Sequence, residues 1–232
     1  MRRVLQALAI CLSVGAPVKA TELNVVVVEL YTSQGCSSCP PADEMVEVLA
    51  QRDDVIALSL HVDYWDYIGW KDEFADPKHS ARQRGYATAA GRRSIYTPEM
   101  IVNGVTDIVG AKPMAVAMAI QKHMEMAPKV LVQAARDGDE IQIEANALAR
   151  NLGPMQVHLV RFQPQRVAKI TRGENAGRTI YYSNVAQDWQ VIGSWDGASD
   201  LSLQASLPGK LPAVVLIQGK DHGPIRAAAV LR

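Results

Sequence analysis

The sequence predicts an α/β domain followed by an all-β, sandwich-like domain, and three observations carry that reading. The β-branched run Val25-Val26-Val27-Val28-Glu29-Leu30-Tyr31 ends just before Cys36-Ser37-Ser38-Cys39-Pro40-Pro41, whose prolines suit the first turn of a helix. Strand-like and helix-like stretches then alternate as far as Pro128. Beyond Pro128 only short strand-like runs remain, split by Gly, Pro, Asn and Asp, and no helix is expected. The expected organisation is a signal peptide over residues 1–20, an α/β domain with a central mixed sheet flanked by helices over 21–127, and a β-sandwich-like domain over 128–232.

The first twenty residues have three parts. Arg2-Arg3 is a positive start, Val4 to Ala16 is apolar apart from Gln6 and Ser13, and Val18-Lys19-Ala20 sets small residues at the two positions a signal peptidase reads. The apolar stretch is short of the roughly 20 residues that span a bilayer, so export with cleavage is expected over an uncleaved anchor or an ordinary N-terminal helix. Cleavage removes Cys11, Arg2, Arg3 and Lys19 and no acid, leaving 24 acidic side chains against 21 basic ones. A periplasmic or secreted chain results, without a basic bias for nucleic acid or anionic lipid and without a later apolar run long enough to span. It keeps only Cys36 and Cys39, which an oxidising compartment can hold as a disulfide.

Within the α/β part the expected elements are a strand at 24–31, a helix at 41–52, a strand at 55–63, a helix at 77–90, strands near 99–110 and a helix at 113–126. Apolar Ala42, Met45, Val46 and Leu49 fall at helical spacing after the prolines. The 77–90 helix is punctuated by Asp76 as N-cap, Pro77 in its first turn and Gly91 past its end. In the β-rich part, runs at 129–135 and 140–147 flank the hairpin signal Asp137-Gly138-Asp139. Further runs follow at 155–162, 178–185, 189–195, 201–206, 212–217 and 225–231. The two parts are expected to pack against each other.

Two thiols two residues apart at a helix start can form a small-ring disulfide, and the positive end of the helix favours the first thiolate. Two elements carry a family resemblance: Val28 to Pro40 with its Cys36-Ser37-Ser38-Cys39 turn, and, about sixty residues on, Ile95-Tyr96-Thr97-Pro98-Glu99-Met100-Ile101-Val102-Asn103-Gly104. Together they resemble the active-site turn and the Thr-Pro segment of the thioredoxin and glutaredoxin superfamily. The chain is also similar, over most of its mature length, to an uncharacterised family of secreted bacterial proteins with a thioredoxin-like domain. That narrower resemblance rests on the CSSCPPAD turn, His61-Val62-Asp63-Tyr64-Trp65-Asp66, Gly69-Trp70, the Arg82-Gln83-Arg84 helix, Tyr96-Thr97-Pro98 and Gly173-Glu174-Asn175-Ala176-Gly177-Arg178.

The resemblance implies a thioredoxin-like domain in which Cys36 is the more exposed, attacking thiolate and Cys39 the resolving thiol. It implies a cis Pro98 facing the pair, a Thr97 backbone that pairs with an extended substrate, and a buried acid beneath the cysteines. Glu29 is the nearest candidate for that acid, with a strand-edge charge as its plain alternative. No cofactor is implied, and no phosphate loop, dinucleotide fingerprint or nucleophile elbow is present in the sequence.

Rival readings of the pair are a passive disulfide, half a zinc site without its second half, and a soft copper site in which Cys36, Cys39 and His61 join. Met114, Met118, Met124 and Met126 are thioether candidates for copper, although filling the core face of their helix is the expectation. His61 and Asp63 are candidates for proton transfer and Tyr64 and Trp65 for a peptide groove, against plain packing roles. Arg82, Arg84, Arg92 and Arg93 are expected on a solvated face or beside Asp63 and Asp66. Tyr181, Tyr182, Trp189 and Trp195 are expected in the β core, His158 and His222 lack metal spacing, and the polar loop Gly173 to Arg178 has no assigned role. The expected function is an exported thiol–disulfide oxidoreductase acting on protein or peptide thiols and recycled by a redox partner. Cys36, Cys39, Thr97 and Pro98 are its site. The alternative is a thioredoxin-fold binding module whose cysteines hold copper or a passive disulfide.

Overall fold

The β-branched run after residue 25 forms β1 (Val26–Thr32), buried along its whole length. These are the first residues of the computed structural model, which describes residues 25–231; the expected signal peptide lies outside the described residues. Helix α1 (Pro40–Leu49) follows, with Cys39 at its N-cap, and returns the chain to β2 (Val55–His61). β2 lies parallel to β1, with Val26 opposite Val55 and Thr32 opposite His61. Helix α2 (Pro77–Ala89) starts as the sequence indicates, the Asp76 carboxylate accepting from the Lys78 N–H at 2.8 Å. β3 (Glu99–Val102) lies antiparallel to β1 and forms a hairpin with β4 (Thr106–Val109) at the sheet edge, and α3 (Pro113–Met124) closes this part.

Alternation along the strands decides which helix each face receives. Val26, Val28 and Leu30 meet Val46 and Leu49 of α1 and Val116 and Ile120 of α3. Val27 and Tyr31 point the other way, into a core shared with Leu58, Leu60 and Tyr86 of α2.

The β-rich part consists of β5 (Val130–Asp137), β6 (Glu140–Ala147), β7 (Met155–Lys169), β8 (Thr179–Trp195), β9 (Leu201–Ser206), β10 (Ala213–Gly219) and β11 (Ile225–Leu231). Its β5–β6 hairpin turns at Gly138, where φ is +59°. The strands do not form a separate sandwich beside the first sheet. Four of them extend it into one eight-stranded sheet of order β11-β10-β7-β8-β2-β1-β3-β4, while β5, β6 and β9 form a three-stranded sheet. Val130, Ile141 and Ile143 of the small sheet pack on Val157, Val215 and Leu231 of the large one. A sandwich-like layer therefore exists, but one of its walls is the far wing of the shared sheet.

The runs at 178–185 and 189–195 form one bent strand. Asn184, inside the first run, and Asp188, in the gap between the two, take positive φ (+48° and +49°) inside β8. The β7–β8 ladder absorbs irregularities as bulges. The large sheet coils until its two ends meet, and the Ile225 N–H at the start of β11 donates to the Asn103 carbonyl in the β3–β4 turn at 2.9 Å.

A buried ionic network sits where this coiling brings α2, β1 and β10 together. Arg82 Nε donates to Glu29 Oε1 at 2.7 Å, and Tyr86 Oη donates to Glu29 Oε2 at 2.6 Å. Arg82 Nη2 reaches Tyr86 Oη at 2.7 Å and Gln218 Oε1 at 2.9 Å, and the guanidinium stacks 4.0 Å from the Trp189 ring. Arg82 is thus buried against Glu29, not solvated or paired with Asp63 and Asp66. Arg92 likewise pairs with Glu99. Removing one partner of such a buried pair leaves an uncompensated charge, so Glu29→Gln should cost about 3–5 kcal/mol in urea unfolding. Asp54→Asn breaks the surface pair with Arg52 and should cost no more than about 1 kcal/mol. Equal losses at the two positions would refute this assignment.

Candidate functional site

The cysteine turn is built by the handover from β1 to α1. The Cys36 N–H donates to the Ser33 carbonyl at 3.1 Å and the Cys39 N–H to the Cys36 carbonyl at 3.2 Å. Cys36 and Cys39 are joined in a disulfide, their Cα atoms 5.4 Å apart. Pro40 and Pro41 carry no N–H, so the first backbone donors of α1 are those of Ala42 and Asp43, both directed at the Cys39 carbonyl. The resemblance implied an exposed Cys36. Instead both cysteines are 0% exposed, while Ser37 and Ser38 between them face solvent.

The β-rich part contacts this turn. The outer half of the β7–β8 hairpin reaches back past β2, and its loop, Gly173 to Arg178, lies on the cysteine turn. Asn175 is buried there, and its Nδ2 donates to the carbonyls of Gln34 and Cys36, each at 2.9 Å. Its Oδ1 accepts from Arg178 Nη1 at 3.2 Å, and Glu174 Oε2 accepts from the Ser37 N–H at 3.3 Å. An apolar foot of Phe74, Ile170, Ile180 and Tyr182 holds the arm down, with Trp70 packed against it. Trp70 Nε1 donates to Gln34 Oε1 at 2.8 Å, so arm, turn and the 62–76 segment lock together. Gly173 has φ +78° and approaches Trp70 closely, a place that suits no other residue. From the sequence this loop carried part of the family resemblance and a polar composition, but no role.

A polar cluster lies at the β1–β2 end beside the turn. Asp43 stands one helical turn after Cys39, and its Oδ1 accepts from Thr32 Oγ1 at 2.8 Å. His61 Nδ1 is 2.7 Å from Asp72 Oδ2, which also accepts the Gln34 N–H at 2.8 Å. Burial pushes the Asp43 carboxyl up to about 7, against the weaker opposing pull of His61 and the Thr32 hydroxyl. Burial also acts to raise Asp72, but His61 and the N–H groups of Gln34 and Phe74 hold it net below the usual carboxylate range. Asp43 Oδ2, His61 Nε2 and Tyr182 Oη are buried without a hydrogen-bond partner. The buried acids of the cysteine end are therefore Asp43, on the helix, and Asp72, while Glu29 is engaged by Arg82 and Tyr86.

Thr97 and Pro98 arrive at the same end of the sheet. Glu99 is opposite Tyr31, so the residues before it lie beside the C-terminal end of β1, and the Thr97–Pro98 peptide is cis. Trp65 links them to the cysteine turn: its Nε1 donates to Thr97 Oγ1 at 2.7 Å, and its Cβ would stand 3.3 Å from a Cβ added at Gly35. The other residues of that segment serve packing. Asp63 accepts from the Ser80 hydroxyl, and Tyr64 Oη donates to Gln83 Oε1 at 3.1 Å, both tying the segment to α2.

The copper candidates are not gathered. Met114 and Met118 stand 74% and 68% exposed on α3 and do not fill its core face. Among the described residues no group of three or more His, Cys, Asp and Glu side chains is arranged to hold a metal ion. Of the β-part aromatics, Tyr182 and Trp195 are buried as expected, whereas Tyr181 is 60% exposed. His158 is buried against Trp189, and burial, followed by Arg82 and His222, lowers it to about 3.

Asp43 makes a signed pH prediction. Its folded-state value is raised, so between about 3.9 and about 7 the folded chain holds a proton that the unfolded chain has lost. The stabilisation it gives is complete below that window and disappears as pH rises through it. Three units at about 1.4 kcal/mol each amount to an order of 4 kcal/mol. Asp43→Asn lacks this dependence, so in urea unfolding its stability relative to the parent should improve by that order between pH 4 and pH 8. A flat difference would show that Asp43 titrates normally.

The family described as "Protein of unknown function (DUF1223)" matches residues 27–218, a span that holds the cysteine turn, Thr97–Pro98 and the covering loop. A crystal structure of a protein from Agrobacterium tumefaciens is 33% identical, with 91% of this chain and 95% of that one covered and a TM-score of 0.77. HBP35 of Porphyromonas gingivalis shares the fold at 13% identity and a TM-score of 0.66, over 92% of this chain and 76% of that one. No curated protein matches the chain. With most of its length matched by that family and a third of its residues shared with the A. tumefaciens protein, the chain belongs to the DUF1223 family.

Proposed function

We propose that the protein is an exported thiol–disulfide oxidoreductase with a thioredoxin-like site, acting on protein or peptide thiols through Cys36 and Cys39. The observation that carries this reading is the disulfide at the start of α1 with the buried Asp43 carboxyl one turn further on, accepting from the Thr32 hydroxyl. In the exchange, a substrate thiolate attacks Cys36, the Cys36–Cys39 bond breaks, and Cys39 leaves as a thiolate that takes a proton. Asp43, neutral at mildly acidic pH, is positioned as the donor, and it takes the proton back when Cys39 attacks the mixed disulfide. Thr97 and Pro98 form the edge against which an extended substrate lies. Export rests on the three-part pattern of residues 1–20.

The full burial of both cysteines favours a second reading, a binding module in which the disulfide is passive. Glutathione titration of the mature protein with mass readout separates the two. A site potential between about −120 and −270 mV, with exchange abolished in Cys36→Ser, is the expected outcome. Resistance to reduction well below about −300 mV makes the disulfide structural and ends the oxidoreductase reading.

A further inference from the structure

Resting on that reading, we propose that the Gly173–Arg178 loop is a lid over the disulfide, latched by Asn175, and that thiol exchange proceeds through its opening. Three independent features converge on this loop. Both cysteines are 0% exposed, and the loop is bonded to the backbone of the turn that carries them. The latch is local and polar: one carboxamide holds the carbonyls of Gln34 and Cys36, and one exposed carboxylate holds the Ser37 N–H. The loop itself has few apolar anchors. Asn175 is its only buried residue, and Gly173 (φ +78°) and Gly177 (φ +84°) stand on either side of Asn175.

The apolar foot lies further down the arm, at Ile170, Ile180 and Tyr182 against Phe74. The loop can therefore lift from its glycines while the foot stays packed. The carbonyls that Asn175 releases become exposed together with Cys36, so opening bares the sulfur and leaves the arm's core intact. Asn175 acts here through access, as a positioning residue for the closed state, and not on the reacting sulfurs.

The test uses the whole mature protein and dithiothreitol. One dithiothreitol thiolate attacks Cys36 and displaces Cys39; its second thiol closes on the mixed disulfide, leaving two protein thiols and one cyclic oxidised dithiothreitol. Reduction is followed by mass, in parallel with global unfolding by circular dichroism. Asn175→Ala should speed reduction roughly 10- to 100-fold, the range that two lost hydrogen bonds allow. Asn175→Asp keeps the shape of the side chain but sets carboxylate oxygens against two carbonyls, so its acceleration should be larger and should grow as pH rises through the carboxylate range.

Reoxidation by cyclic oxidised dithiothreitol, which takes up the two electrons and two protons and returns to the dithiol, should accelerate by the same factor, leaving the site potential unchanged, and both reactions should outrun global unfolding. Unchanged rates in both variants would overturn the lid while leaving the oxidoreductase reading to its own titration. A shifted potential with unchanged rate in one direction would overturn it too, because Asn175 would then tune the disulfide and not its access. Reduction of every protein only at the rate of global unfolding would remove both proposals together.

Discussion

The attachment of β8 to β2 is the joint on which the rest of the structure depends. Its backbone ladder is minimal, with Ser59 opposite Val185 as the one paired position. Side chains complete it: Ser59 Oγ donates to the Ser183 carbonyl and Asn184 Nδ2 to the Ala57 carbonyl, each at 2.9 Å. Asn184 reaches that carbonyl from a positive φ, which also bends β8. On one side of the bend β8 continues into the wing that packs on β5 and β6. On the other it becomes the arm whose loop covers the cysteines. A straight β8 could not serve both ends, so this local backbone choice places the second half of the chain over the first half's site.

Two buried polar clusters follow from this arrangement, and they differ in how fully their atoms are used. In the Glu29 cluster both carboxylate oxygens, the Tyr86 hydroxyl and both ends of the Gln218 amide are engaged, and Trp189 stacks on the guanidinium. Full satisfaction is what a buried charge needs in order to be tolerated, and it marks a brace between α2, β1 and β10. The cluster beside the cysteines leaves Asp43 Oδ2, His61 Nε2, Tyr182 Oη and Gln34 Nε2 without partners. Each such atom costs about 1–3 kcal/mol, and natural proteins keep few of them. On the proposed function, Asp43 Oδ2 is the atom among them that would accept and release a proton.

The sequence disclosed these features unevenly, for physical reasons. Local chemistry was legible: Asp76, Pro77 and Gly91 bound α2, Gly138 turns the first β hairpin, and two prolines start α1. Sheet membership was not: β10 is a continuous apolar run, as a strand covered on both faces would be, yet nothing in a strand's own residues names its neighbour. Buried charge was hidden for the same reason. Arg82 sits on a helix rich in Arg and Gln and reads as solvated until β10 delivers Gln218 and β1 delivers Glu29. Asp43 was missed because an acid in a helix's first turn already has an explanation in the dipole, and only the arm and β2 above it make it a buried group.

Burial and reactivity oppose each other at the cysteines, and the arm decides between them. With the loop in place, a thiolate formed at Cys36 would be a charge out of contact with water. The start of α1 does little to relieve it: Pro40 and Pro41 remove two donors, and Asp43 brings an acid into the same turn. A helix N-terminus with its donors intact could have supported a buried thiolate; this one is poorly equipped to. Ionised sulfur is therefore compatible with an open loop and penalised under a closed one. The closed form suits uncharged sulfur, as disulfide or as neutral dithiol alike, with Asp43 protonated beside it. In the proposed exchange the attacking substrate thiolate carries its charge into this uncharged site, so water has to enter with it. On this argument the loop does more than shield the sulfurs: lifting it changes the solvent in which they react.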